Sequence, residues 1–234
     1  MENILEIADL WVTYPDGTKA LKGASLSVAV GQRVGLIGPN GAGKTSLLLA
    51  IMGSLKHSGK IVVGGIELSR RRADEVRSRC GMTFEYPDDQ LFMPTLLEDV
   101  AFGPLNEGYQ ASEAEVRSRA AIAAVGLTGL EQRCAHHLSG GQKQCAALAT
   151  ILSMNVKLLL LDEPAAGLDF RSRRRLVDIL AAREEAMLLA THDLAMVQQL
   201  CQQVALLDAG SIAAIGPSKD ILCNTELLAR HGLR

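Results

Sequence analysis

Residues 38–45 read Gly38-Pro39-Asn40-Gly41-Ala42-Gly43-Lys44-Thr45. This is the complete G-x-x-x-x-G-K-[ST] pattern of a phosphate-binding loop. Its glycines let the backbone curl until successive N–H groups point inward at an anion, and the helix that follows adds its positive N-terminal end. Lys44 brings a full charge to the β- and γ-phosphates, and the Thr45 hydroxyl can ligate Mg²⁺. The pattern predicts an ATP site over residues 38–46, with Ser46 as its last member.

The segments around this loop have the periodicity that such a loop requires. A short apolar strand, Arg33–Ile37, precedes it and a helical pattern, Leu47–Met52, follows it. Near the N-terminus, two alternating segments predict strands separated by the turn Tyr14-Pro15-Asp16-Gly17. Further strands are predicted at Lys60–Val63, Gly81–Phe84, Val156–Leu161, Met187–Ala190 and Val204–Leu207, and further helices at Leu96–Phe102, Ala114–Val125, Gly140–Leu152, Ser172–Ala182 and Asp193–Leu200.

Strands that alternate with helices predict an α/β fold. We expect a P-loop NTPase parallel-sheet core with an N-terminal antiparallel β portion and an inserted helical subdomain. The expected organisation is a single domain over residues 1–234. Residues 1–86 and 156–234 form its nucleotide-binding core, which ends in a helical tail after Gly216, and residues 87–155 form the helical subdomain.

Composition excludes several other classes of protein. The net charge of -2 offers no basic face for nucleic acid, and the run Arg70-Arg71-Arg72 reads as a solvated loop or a helix start more readily than as a phosphate contact. The five cysteines are odd in number and form no C-x-x-C pair, which argues against a disulfide framework and a zinc site. The sequence shows no signal-peptide pattern and no apolar run that approaches the ~18 residues of a membrane-spanning helix. We therefore expect any role in membrane transport to depend on a partner protein.

The second motif is a pair of acidic residues, which follows the four leucines Leu158–Leu161. The leucines predict a buried strand, and Asp162 follows at its carboxyl end, where it can hold Mg²⁺ directly or through water. Glu163 is next and suits a general base for the water that attacks the γ-phosphate. Many strands end in a solvated acid, so the motif gains its meaning from the phosphate-binding loop.

The stretch Leu138-Ser139-Gly140-Gly141-Gln142 has two interpretations. Ser139 is a good helix N-cap, so an ordinary capped helix is one. The other is an anion contact, because two glycines leave the backbone open to close approach.

Together these three motifs resemble the nucleotide-binding subunits of ABC transporters, over nearly the whole chain. The resemblance implies that two subunits pair head to tail around two ATP molecules. Ser139, Gly140, Gly141 and Gln142 would then contact the γ-phosphate that is bound to the opposite subunit.

The same resemblance implies roles for three more residues. Tyr14 matches the aromatic residue that stacks on adenine, Asp169 matches the loop that crosses the dimer interface, and His192 matches the histidine that contacts the γ-phosphate. Tyr14 could instead be a half-buried strand residue, and His192 a structural one. The pair His136-His137 has no such counterpart and is assigned no metal.

Two positions depart from the family pattern. Glu85 stands where the family has a Mg²⁺-binding Gln; its carboxylate can still ligate the ion but adds negative charge and loses the amide donor. Cys145 stands where a basic residue usually follows the signature.

Other segments indicate the kind of transporter. Residues 14–21, 87–92 and 98–106 resemble the ATPases of energy-coupling-factor transporters and of the related cobalt and nickel importers. In those systems a membrane protein docks near the Gln-type loop, which matches Tyr86–Asn106 here. Core packing of the helical subdomain explains the apolar residues Leu91, Phe92, Leu96 and Leu97 equally well.

We therefore expect a peripheral ATPase on the cytoplasmic face of the cell membrane. It would act as a homodimer or with a similar subunit, beside a polytopic membrane transporter, and without nucleic acid. We expect the transporter to import cobalt or nickel ions. Vitamin import by an energy-coupling factor, or a soluble ABC-type ATPase acting on DNA or ribosomes, are the alternatives.

Overall fold

The computed structural model describes residues 2–233. Its strands are β1 (Asn3–Thr13), β2 (Lys19–Ala29), β3 (Arg33–Ile37), β4 (His57–Val63), β5 (Ile66–Glu67), β6 (Cys80–Thr83), β7 (Leu158–Asp162), β8 (Ala186–Ala190), β9 (Gln203–Asp208) and β10 (Ser211–Pro217). Its α-helices are α1 (Lys44–Ile51), α2 (Ala73–Arg77), α3 (Leu96–Asn106), α4 (Ala111–Ala124), α5 (Gly140–Leu152), α6 (Phe170–Ala181), α7 (Leu194–Leu200), α8 (Ser218–Cys223) and α9 (Thr225–Arg230).

The chain divides into two compact units. The first comprises residues 2–82, 157–162 and 184–233 and holds the sheets, and the second comprises residues 83–156 and 163–183 and is helical. The predicted fold class, a parallel sheet with an antiparallel N-terminal portion and a helical insertion, is confirmed.

The antiparallel sheet of the first unit has the strand order β2-β1-β4-β5. Strand β1 pairs with β2 on one side and with β4 on the other. The predicted turn between β1 and β2 is present: Gly17, at φ 88°, donates its N–H to the Tyr14 carbonyl at 2.9 Å. A left-handed residue here is an ordinary place for glycine, which carries no Cβ to clash.

The second sheet has the order β10-β9-β3-β8-β7-β6, and β9, β3, β8 and β7 run parallel. The side chains of Leu158–Leu161 are at most 1% exposed, as expected for a strand covered on both faces. Strand β10 was not predicted, and it pairs antiparallel with β9 at the edge. None of its residues is buried, and its two isoleucines, Ile212 and Ile215, are three residues apart, so the sequence lacks the period-two pattern of a strand.

The second unit contains helices α3, α4, α5 and α6. Helix α5 has the predicted bounds, and Thr95 caps α3 by accepting the Glu98 N–H at 3.3 Å. Helix α6 belongs here because Arg175 donates to the carbonyls of Val125 and Gly126. Residues 163–183 therefore group with the helical unit, whereas the sequence-based division assigned them to the nucleotide-binding core.

Two further sequence interpretations concern exposed or membrane-spanning segments. Arg70, Arg71 and Arg72 are exposed and lead into the short helix α2, which is the loop-and-helix-start interpretation. None of the helices within residues 2–233 is both long and apolar enough to span a bilayer.

Candidate functional site

The carboxyl ends of three parallel strands meet at one edge of the sheet. Leu36 on β3 is in register with Ala190 on β8, and Ala190 is in register with Asp162 on β7. The Thr191 N–H extends this row by donating to the Leu36 carbonyl at 3.1 Å. Open α/β sheets bind ligands at this edge. The phosphate-binding loop, Asp162 and the Thr191–Asp193 loop therefore emerge together.

The curvature of residues 38–45 depends on glycines for steric reasons. Gly41 and Gly43 have left-handed backbones, with φ of 79° and 108°. A Cβ on Gly38 would lie 2.1 Å from the Leu207 carbonyl oxygen, and one on Gly43 would lie 2.6 Å from the Ala20 carbonyl oxygen. Neighbouring backbone thus presses directly against the loop, and no side chain fits at either position.

Lys44 points back into the loop that precedes it. Its side chain is buried, and Nζ donates to the carbonyl oxygens of Gly38 at 2.8 Å and Pro39 at 3.3 Å. Both acceptors belong to the loop that would surround a phosphate, so the ammonium is already held where an anion would enter. No side chain caps the start of α1, whose first N–H groups point toward the same loop.

Tyr14 lies beside the first turn of α1. Its phenolic oxygen is 3.0 Å from the Ser46 hydroxyl oxygen, within hydrogen-bonding distance. Tyr14 is half-buried. Tyr14 is thus close to the phosphate-binding loop, and its stacking on adenine stays a prediction.

Asp162 has the chemistry and position for Mg²⁺. Its side chain is 2% exposed at the end of β7, and α1 packs against this strand. The Thr45 hydroxyl and a carboxylate are hard oxygen ligands of the kind Mg²⁺ prefers. Within residues 2–233 no cluster of three His, Cys, Asp or Glu side chains could hold a metal. Because Mg²⁺ usually keeps waters and substrate phosphate oxygens among its ligands, a few protein oxygens such as those of Thr45 and Asp162 suit it.

Glu163 has an unusual backbone. Its φ is 43°, in the left-handed region, although it is not a glycine, and its side chain is 7% exposed. Such a conformation is uncommon for a residue with a Cβ, and Asp9, Asn155 and Ala209 adopt it in this chain as well. The Glu163 carbonyl accepts the Ala166 N–H at 3.0 Å, so a tight turn follows the strand.

His192 is exposed in the loop between β8 and α7. Two side chains shape this loop: the Thr191 hydroxyl accepts the Asp193 N–H at 3.0 Å, and the Asp193 carboxylate caps α7 by accepting the Met196 N–H at 2.9 Å. These bonds hold the backbone and leave the His192 side chain on the surface at the carboxyl edge of the sheet.

In the second unit, Ser139 caps α5. Its hydroxyl accepts the Gln142 N–H at 3.3 Å, while the Gln142 side-chain oxygen accepts the Ser139 N–H at 2.9 Å, which makes a complete capping box. The two glycines differ: a Cβ on Gly140 would meet open space, whereas one on Gly141 would lie 2.5 Å from the Ser172 hydroxyl oxygen. The capped-helix interpretation is confirmed, and Gly140 leaves an open backbone face beside it.

Asp169 caps α6 in the same unit. Its carboxylate accepts the backbone N–H of Ser172 at 2.9 Å and the Ser172 hydroxyl, also at 2.9 Å. These two bonds stabilise the charged form and lower the pKa of Asp169. The side chain is therefore anionic and fixed at the start of the helix.

The two departures from the family pattern have different surroundings. Glu85 is half-buried just after β6, in the second unit. Cys145 is 4% exposed, and burial raises the pKa of its thiol. Since Cys145 faces the interior of the helical unit, a basic residue there would carry its charge into that interior.

The motif geometry and a sequence comparison agree on the family. The sequence profile of the ABC transporter family matches residues 21–166. The chain belongs to the ABC transporter ATP-binding proteins. An ATP-binding protein of this family from Streptomyces coelicolor is 44% identical over 98% of this chain and 88% of its own length.

Two more comparisons involve transporters of particular types. The energy-coupling factor transporter ATP-binding protein EcfA of Methanothermobacter thermautotrophicus is 40% identical over 99% of this chain and 76% of its own. The solved structure of CbiO1 from Clostridium perfringens, part of the ABC transporter complex CbiONQ, has 32% identity and a TM-score of 0.86 over 100% of this chain and 96% of its own. The predicted family and the predicted ATPase activity are confirmed.

Sequence reasoning missed two residues that hydrogen-bond to the segments carrying the motifs of this ABC ATPase. The turn Ala209-Gly210 lies against the phosphate-binding loop, where the Gly210 N–H donates to the Ala42 carbonyl at 3.1 Å. Gln90 ties its loop to α5 by donating to the Ala147 carbonyl at 3.0 Å and to the Thr150 hydroxyl. The turn Ala209-Gly210 lacks the Asn-Gly or Asp-Gly dipeptide that marks a hairpin, and the contacts of Gln90 leave no signal in the sequence.

Proposed function

We propose that this ABC ATPase drives import of a transition-metal ion, cobalt or nickel, through a separate polytopic membrane protein. It would work on the cytoplasmic face of the membrane, paired with a second copy or a similar subunit. The observation that carries the proposal is the likeness to CbiO1, a component of a multi-subunit ABC transporter, which extends over the full length of this chain.

The proposed hydrolysis assigns a role to each motif. Lys44 and the loop amides bind the β- and γ-phosphates, and Tyr14 stacks on adenine. Thr45, Asp162 and Glu85 would hold Mg²⁺, which would offset phosphate charge when bound. The Glu163 carboxylate accepts a proton as water attacks the γ-phosphorus, and the bond to the bridging oxygen of ADP breaks.

The remaining residues complete the proposed site. His192 contacts the γ-phosphate from the same subunit, while Ser139–Gln142 and Asp169 reach it from the opposite subunit. The open backbone face of Gly140 supports this assignment, because a backbone without Cβ lets an anion approach closely.

An exposed aromatic patch supports docking to a membrane protein. We define the Phe92 patch as Phe92, Phe102 and Leu105, whose side chains are 63%, 39% and 47% exposed. The two rings pack edge to face with centroids 5.1 Å apart. Leu91 and Leu96, by contrast, are buried in the helical unit. Core packing thus accounts for those leucines and leaves the aromatic residues for a partner.

A buried carboxylate fixes the backbone of the loop that carries Phe92. Asp99 on α3 accepts the N–H groups of Phe92 and Met93, both at 2.9 Å. Burial raises the pKa of Asp99 while these two bonds oppose the shift. A fixed loop presents Phe92 at a low entropic cost of binding, which is the behaviour expected of a docking surface.

Docking is tested by co-purification of the ATPase with its proposed polytopic membrane partner. Phe92→Asp should abolish co-purification and transport but leave the ATPase activity of the isolated chain within about twofold, because a charge replaces a desolvated anchor. Val116→Asp is the matched control, since Val116 is 69% exposed on α4 of the same unit and should change neither. Equal loss in both variants, or retention in Phe92→Asp, would contradict the proposal.

A second candidate cargo is a vitamin, because EcfA, an energy-coupling factor ATPase, is 40% identical over almost the whole chain. Uptake measurements on the assembled transporter separate the two. Cobalt or nickel accumulation that requires ATP and stops in Glu163→Gln supports the metal. Accumulation of a vitamin alone would favour the second candidate. A complex that contains DNA or ribosomes and no membrane protein would exclude both.

A further inference from the structure

We infer that Ser172 is a positioning residue that joins the signature turn, residues 139–142, to the Asp169 loop as one rigid element. The inference rests on the proposed function, in which both segments face the nucleotide of the opposite subunit. It adds a residue that belongs to neither motif and that determines their relative position.

The first half of the link runs from Ser172 to Asp169. The Ser172 hydroxyl and backbone N–H both donate to the Asp169 carboxylate, each at 2.9 Å. Bidentate capping of this kind fixes the rotamer of the carboxylate as well as the start of α6. Of the two bonds, only the one from the N–H would survive loss of the side chain.

The second half runs from Ser172 to the signature turn. An added Cβ on Gly141 would lie 2.5 Å from the Ser172 hydroxyl oxygen and 2.7 Å from its Cβ. The Ser172 side chain therefore occupies the space that a side chain on Gly141 would need. The hydroxyl cannot rotate away without losing Asp169, so the contact has little freedom to yield.

The two glycines of the signature turn thus have separate reasons for lacking a side chain. Gly140 faces open space, where an anion can approach, whereas Gly141 faces Ser172. Helix α6 is further tied to the helical unit through Arg175, which donates to the Val125 and Gly126 carbonyls. A shift of the signature turn should consequently carry Asp169 with it.

The test uses the full chain in the Glu163→Gln background, where ATP should hold the dimer. Ser172→Ala should weaken ATP-dependent dimerisation roughly three- to tenfold, the effect of one lost hydrogen bond. Binding of a fluorescent ATP analogue to the monomer should stay within about twofold, because the phosphate-binding loop is untouched. Asp178→Ala, an exposed change further along α6, is the matched control and should alter neither.

A compensating pair probes the contact itself. Gly141→Ala should weaken dimerisation at least about tenfold because its Cβ meets Ser172. Adding Ser172→Gly removes the obstructing side chain and should restore at least part of that loss, so the two changes are strongly non-additive. Additive losses in the double variant would overturn the inference.

Hydrogen–deuterium exchange on the monomer keeps the inference testable apart from dimerisation. Gly141→Ala should speed amide exchange in residues 166–172 as well as in residues 139–145, and Ser172→Gly should reduce the distant effect. Exchange that changes only near residue 141 would show that the two segments are independent. If the Glu163→Gln parent fails to dimerise while exchange behaves as expected, the proposed dimer is wrong but the link stands.

Discussion

Two glycine-rich turns of this ABC ATPase lead into helices, and they differ in how the helix N-terminus is satisfied. The phosphate-binding loop, residues 38–45, leaves the start of α1 without a side-chain cap. The signature turn, residues 139–142, closes the start of α5 with a full capping box. An uncapped N-terminus keeps its N–H groups for an anion, whereas a capped one has already found its partners.

The phosphate-binding loop is also more tightly packed than the signature turn. Backbone from β2 and β9 presses on the glycines of the phosphate-binding loop, and Lys44 is buried inside it. Ser139 and Gly140 are exposed. The phosphate-binding loop is thus fixed by contacts within its own chain, whereas the signature turn is exposed, as its proposed role at the opposite subunit's nucleotide requires. Four predictions test this contrast.

The largest effect should follow Glu163→Gln, which separates nucleotide binding from turnover. Removing the proposed base should lower the rate of phosphate release by roughly 10²- to 10⁴-fold. Binding of ATP should be retained, because the phosphate-binding loop is intact. Phosphate release and size-exclusion chromatography with ATP measure the two outcomes. Hydrolysis within tenfold of the parent would show that the base lies elsewhere.

Lys44→Ala compared with Ser139→Ala tests the division of work between the turns. Loss of a charged donor to phosphate should weaken ATP binding by about 1.5–3 kcal/mol, or roughly 10- to 150-fold in Kd. Ser139→Ala should leave Kd within about twofold and lower kcat, because its proposed contact with ATP forms only across the dimer. Titration of the monomer with a fluorescent ATP analogue measures Kd. Equal weakening in both variants would show that the turns do not differ in role.

The same glycine-to-alanine change should have opposite consequences in the two turns. Gly38→Ala should lower the free energy of unfolding by about 1–3 kcal/mol, since its Cβ meets the Leu207 carbonyl. Gly140→Ala should be neutral or stabilising by up to about 1 kcal/mol, because alanine is the better helix former and open space surrounds it. Denaturant unfolding without nucleotide compares them. Similar losses at both positions would contradict the packing contrast.

The smallest effect is expected for Glu85→Gln, which restores the amide of the family pattern. We expect ATPase rate and Mg²⁺ dependence to change by no more than about fivefold, or roughly 1 kcal/mol in activation free energy. Transport per ATP hydrolysed should change as well, if Glu85 alters coupling to the membrane partner. Unchanged ATPase rate, Mg²⁺ dependence and transport together would remove any special role for Glu85.

The sequence predicted most of the secondary structure because the patterns were strong. The apolar run Leu158–Leu161 could only be buried, and the spacing in residues 140–152 predicted α5 with its observed bounds. Strand β10 was missed because its two isoleucines, Ile212 and Ile215, are three residues apart and give no period-two alternation. The leucines and aromatic residues near α3 could not be separated, because composition does not say which face of a helix finds neighbours.

Local motifs were thus readable from residue order, since phosphate binding, capping and strand burial each depend on a few residues close along the chain. Long-range contacts were not. That Gly141 must lack a side chain, that Gly210 supports the phosphate-binding loop, and that residues 163–183 pack with the helical unit all depend on atoms far apart in sequence. Such steric contacts leave no periodicity or composition behind, so only the tertiary structure decided them.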